Sequence, residues 1–132
     1  MNRFLIPEQY NIIWGTSWIA LFPTIHALKK KKYDLALCSG SVFLTSLNYW
    51  RNPVDSWRLL LDLFVVRTAC VYQSYNAIHN RKYSYFFWTT LAGLSFFIGK
   101  NKYYNENRMW TYTYFHLGLH IFANIGNFAL LE

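Results

Sequence analysis

Acidic residues are scarce in this chain. Six Asp and Glu stand against thirteen Lys and Arg in 132 residues, and charged side chains of either sign make up only 14%. An ordinary soluble domain carries about 25%. Cysteine is nearly absent too. Two thiols, Cys38 and Cys70, with no CxxC spacing, exclude a disulfide framework and a thiolate zinc site, and both fall inside apolar stretches. No Asn-x-Ser/Thr sequon, linker, low-complexity tract or internal repeat divides the sequence, so residues 1–132 are expected to form one domain. "MNRFLIPEQY" has a weak basic region and no small-residue cleavage site after it, so the first apolar stretch is expected to stay as a helix and not to be cut as a signal peptide.

What the chain has instead is apolar and aromatic surface, 54% and 21% of its residues. Its mean hydropathy is only +0.06, but that scale treats tyrosine and tryptophan as polar, and there are eleven Tyr and six Trp. The placement of charge is more informative. Residues 9–28, 35–50, 83–99 and 109–131 contain none, counting histidine as neutral, and 56–77 is broken mainly by Arg58, Asp62 and Arg67. A helix needs roughly 17–25 residues to cross a bilayer core of about 30 Å. The expectation is an all-α, multi-pass membrane bundle of about five helices at 11–28, 33–50, 56–77, 83–100 and 109–131, with Pro23 kinking the first and Ser56 capping the third.

The net charge of +7 does not point to nucleic acid, because its basic residues gather at block ends: Lys29 to Lys32, Arg51, Arg81, Lys82, Lys100, Lys102 and Arg108. Lys and Arg snorkel to head groups at such places, and tryptophans form interfacial belts there. Orientation is undecided, since six basic residues fall at each end of the bundle.

Polar residues collect at one depth. His116 lies about 10 Å into the fifth helix, Asp62 lies six residues into the third, and Ser46 is four residues short of the end of the second, all from the N-terminal side. His120 is one turn deeper, and His26 and His79 fall near the opposite side. Thr113, His116, His120, Asn124 and Asn127 share one helix face, which must turn to the bundle interior or to water. An Asp in a membrane helix costs about 2.5–3.5 kcal/mol and calls for a partner or a function. Arg58, one turn earlier, is the structural partner expected for Asp62, while Arg67, near mid-helix, is expected to face the interior. The chemical reading puts Asp62 on a water beside a metal held by two imidazoles.

Ser46, Asp62, the His116-xxx-His120 pair and the stretch "TSLNYWRNPVDSWRLLLD" resemble the alkaline ceramidase and adiponectin-receptor superfamily of membrane hydrolases (CREST). The resemblance implies a zinc ion on His116 and His120, Asp62 as general base and Ser46 orienting the water or stabilising the oxyanion. The implied reaction is hydrolysis of a lipid amide or ester. Trp50 stands where that superfamily has its third histidine. The alternative expectation is a non-catalytic membrane scaffold, with a homo-oligomer allowed, in which the histidines only join helices. A channel or transporter is a weaker reading, for no selectivity-filter sequence and no ring of acids occurs.

Overall fold

The computed structural model describes residues 5–54, 56–106 and 109–132. They are all-helical: α1 (Pro7–Ser17), α2 (Leu21–Lys29), α3 (Tyr33–Trp50), α4 (Trp57–His79), α5 (Ser84–Glu106) and α6 (Met109–Ala129). A short 3-10 turn, Trp18–Ala20, joins α1 to α2, so the two make one bent segment. By hydropathy, no helix among the described residues is long and apolar enough to cross a membrane.

Local chemistry accounts for most boundaries. Pro7 opens α1 at a position where a missing N–H costs nothing, and the Gln9 side chain accepts a hydrogen bond from Ile6 N at 3.1 Å. The helix therefore starts before the charge-free block does, because Glu8 in the first turn suits the helix dipole. Pro23 cannot donate to Ile19, and the backbone tightens into the 3-10 turn just ahead of it. Thr24 Oγ1 donates to the Ala20 carbonyl at 2.8 Å and satisfies an acceptor at that bend. Ser56 does occupy the N-cap position of α4, but its hydroxyl donates back to Val54 O at 3.1 Å and makes no cap bond. At the far end α5 runs to Glu106, past the expected stop near residue 100, because Lys100 and Lys102 are good helix formers and do not end a helix.

The α2–α3 and α4–α5 connections are the same turn built twice. Lys31 (φ 59°) and Arg81 (φ 56°) take the left-handed conformation just past each helix. Lys32 N donates to Ala27 O at 2.9 Å, and Lys82 N donates to Ala77 O at 2.8 Å, the long bond of a Schellman motif. Glycine fits that position without the side-chain penalty that Lys and Arg carry. Arg81→Gly is therefore expected to raise stability, by about 0.5 kcal/mol after its entropy cost. Thermal unfolding of the purified chain checks this, and a fall in melting temperature would count against it.

The segments follow one another around the bundle. α5 pairs closely with α6, the bent α1–α2 segment packs between α6 and α3, α3 pairs with α4, and α4 returns to α5 by the thinnest contact. Apolar clusters close both ends. Leu5, Tyr10, Ile13, Tyr49 and Trp50 form one, and Ala27, Leu35, Ala36, Ala77, Tyr85, Leu130 and Leu131 form the other. Between them the interior is polar: Ser39, Ser46, Asp62, Gln73, Thr113, His116 and Asn124 are all buried.

Candidate functional site: a buried polar layer

The four residues expected to form a site fall into two pairs. Ser46 Oγ on α3 donates to Asp62 Oδ1 on α4 across 3.5 Å, with the Thr45 hydroxyl also facing that carboxylate. On α6, the His116 and His120 rings lie edge to face with centroids 4.7 Å apart, as their i, i+4 spacing requires. Trp50 touches the second pair. It is one turn beyond Ser46 on α3, it is buried, and its ring packs edge-on against His116 at 4.7 Å. Tyr112 covers another side of His116 at 5.8 Å. His120 reaches α1, where Thr16 Oγ1 lies 2.9 Å from its Nδ1. These contacts therefore link α1, α3, α4 and α6.

Arg58 does not pair with Asp62. Its guanidinium turns back to the end of α3 and donates to Asn48 O at 3.0 Å and Asn52 O at 2.8 Å. Carbonyls at a helix C-terminus lack partners within the helix and carry its negative dipole end, so a buried cation is well placed there. Asp62 is left with hydroxyl partners. Arg67 does not face the interior either. It sits about 140° round α4 from Asp62, and since Asp62 takes the buried face, Arg67 is turned outward and exposed.

Deeper in the bundle runs a second set of contacts that the sequence reading did not contain. Tyr85 OH on α5 donates to Gln73 Oε1 on α4 at 3.2 Å, and Gln73 Nε2 donates to Asn127 Oδ1 on α6 at 2.8 Å. Asn127 Nδ2 donates to Asn124 Oδ1 at 3.1 Å, and Asn124 Nδ2 donates to His120 O at 2.7 Å. Each amide accepts from one neighbour and donates to the next, so the chain of bonds runs in one direction and satisfies its members. The signal for Gln73 was available: it follows Asp62 by eleven residues, about three turns, on the same face. His26 and His79 stay apart from both sets, His26 against Phe128 and His79 stacked on Tyr75.

Among the described residues, no three His, Cys, Asp or Glu side chains come together as a metal-binding group. A catalytic zinc takes three protein ligands and an open position. The donor set here is two imidazoles, one of them flanked by an indole, and Asp62 is engaged by Ser46 on the other helix pair. Among the described residues the pair is one protein ligand short of such a centre. What the arrangement does chemically is satisfy buried polar groups across helix boundaries, which costs little when complete and much when broken.

No known protein family, characterised protein or solved structure matches this chain.

Proposed function

We propose that this chain is a multi-pass helical bundle embedded in lipid, and that its buried polar layer holds the segments together without carrying out chemistry. One observation carries the reading: the polarity of the fold is inside out. Val71 and Leu37 are 73% and 71% exposed, while Asp62 and Gln73 are 8% and 5% exposed and Thr113 is fully buried. Soluble monomers expose single apolar side chains freely but rarely large contiguous patches of them. Here each of α2 to α6 has such residues turned outward, Phe22, Leu44, Phe64, Phe97 and Ile121 among them. In lipid the outward surface is at no disadvantage, and the polar groups must turn inward and pair with one another.

The hydropathy of the helices is compatible with this arrangement. At 23 residues, α4 and α5 are each about 34 Å long, enough for a bilayer core. Two things depress their apolarity. One is tyrosine and tryptophan, which suit the interface. The other is the polar set turned into the bundle, such as Arg58, Asp62, Gln73 and Ser95.

Alkaline carbonate extraction of expressing cells tests the embedding. The chain is expected to stay with the membrane pellet, and a monodisperse, detergent-free protein in the supernatant would end the proposal. A second experiment tests the role of the layer. Interhelical hydrogen bonds in membranes average about 0.6 kcal/mol each, so His116→Gln/His120→Gln should fold in detergent with about 1–2 kcal/mol lost. Metal content by mass spectrometry is read on the same samples. Stoichiometric zinc in the wild type, absent from the double variant, would transfer support to the lipid hydrolase that the CREST resemblance implies, with Asp62 as its base and Ser46 beside it.

A further inference from the structure

We propose that the outward face of α4 docks a partner transmembrane helix that carries a carboxylate at the depth of Arg67. The proposal rests on the lipid-embedded reading. Arg67 is the eleventh of the 23 residues of α4, close to its midpoint, and it is exposed. Leu60, Phe64, Val71 and Ile78 surround it on the same stripe, and all four are exposed too. Among the described residues, Arg67 makes no hydrogen bond or ion pair. From mid-helix either end of α4 is about 16 Å away, which is beyond the reach of an arginine side chain. Snorkelling therefore cannot take this charge to water, as it can for Lys29 or Lys82 at helix ends.

A charge held there needs a neighbour, and its chemistry can be stated. A guanidinium is matched by a planar carboxylate, which it binds through two parallel hydrogen bonds. Among the described side chains, none supplies one. Asp62 is buried and bonded to Ser46, Asp34 accepts from Tyr72 at one end of the bundle, and Glu8 and Glu132 lie at the chain termini. A second copy packed symmetrically about an axis normal to the membrane would set Arg67 against Arg67, which repel. Charge complementarity therefore selects a different chain with an acid at mid-membrane. Its side chains have a place to seat, because a groove of about 350 Å³ runs along α3 and α4 beside this stripe, lined by Leu37, Ser41, Phe64, Thr68 and Tyr72, with Asp34 at its far end held by Tyr72.

The test uses the full chain in phosphatidylcholine vesicles with synthetic 23-residue Leu/Ala transmembrane peptides. One peptide carries a single Asp at its centre, one carries Leu there, and one carries Asp a third of the way along. Carbonate-resistant insertion of the chain is read first, and association is then read by energy transfer. The central-Asp peptide is expected to associate at about tenfold lower peptide-to-lipid ratio than the central-Leu peptide, the scale of interhelical bonds in model peptides. Arg67→Leu should abolish that preference, Arg67→Lys should keep part of it, and the off-centre Asp should gain little. Equal association of the Asp and Leu peptides with an inserted chain would overturn the docking proposal and leave the embedding intact. Self-association of the chain without peptide, lost in Arg67→Leu, would overturn it in favour of a second copy. Failure of the chain to insert would remove both proposals together.

Discussion

Gly99→Ala is expected to lower the stability of the bundle by about 1–3 kcal/mol, although it adds one methyl group to a helix interior. A Cβ at Gly99 on α5 would sit 2.9 Å from Phe115 Cβ and 3.6 Å from Tyr112 O on α6. Neither atom is the end of a flexible side chain. Relief therefore requires the two helix backbones to move apart, and this is the most closely packed helix pair in the fold. Ala92, Ser95 and Gly99 form a buried line of small residues on α5, and Gly118 and Gly126 lie opposite on α6, where added methyls would meet Ser95 Oγ at 3.4 Å and Thr89 Oγ1 at 3.5 Å. Small residues let membrane helices approach closely enough for dispersion forces to hold them without a hydrophobic driving force. Gly93 on the same helix is the internal control, since nothing lies within 4 Å of a Cβ added there. Gly93→Ala should be neutral or stabilising by up to about 1 kcal/mol, the difference in helix propensity. Denaturation in mixed micelles, followed by circular dichroism, separates the two. Equal effects at both positions would mean that the α5–α6 contact is looser than described.

Arg58→Leu is expected to cost about 2–3 kcal/mol, from loss of two charge-assisted hydrogen bonds to buried carbonyls. Asn48 O also receives Arg51 Nε at 3.1 Å, and the bond from Arg58 to Asn52 O, 2.8 Å long, lies in the turn that leads from α3 to α4. Pro53, fully buried, follows directly, so this connection has little freedom to rearrange. Arg58→Lys should recover only part of the loss, because one ammonium cannot present the forked donors that reach both carbonyls. The same micelle titration reads it. An Asp62→Asn variant provides the contrast. If Arg58 supported Asp62 as an ion pair, both substitutions would be strongly destabilising and their effects would not add. With Arg58 on the α3 carbonyls, the two effects should add to within about 0.5 kcal/mol.

The five helical segments were legible because charges and turn residues are rare enough to punctuate the chain: Lys29 to Lys32, "RNPVDS", "HNRKYS" and the stretch after Lys100. So was the bend at Pro23, which follows from a missing N–H and needs no tertiary contact. The inward face of α6 was legible as well, since Thr113, His116, His120, Asn124 and Asn127 repeat at helical spacing and polar groups must be satisfied somewhere.

The identity of their partners was not legible. Spacing within one helix says which residues share a face, but not which residue of another helix stands opposite, and the cost of a buried polar group depends on that neighbour. Arg58 and Asp62 are correctly spaced for an ion pair, yet the unsatisfied end of α3 lies closer to the guanidinium. The spacing of His116 and His120 put both rings on one face, but it did not say that an indole flanks one ring and a threonine on α1 meets the other. The chain by itself determined its helices and which faces are polar. Only the packing decided whether those faces meet as ligands, as ion pairs or as interhelical hydrogen bonds, because each depends on distances of a few ångströms between segments far apart in sequence.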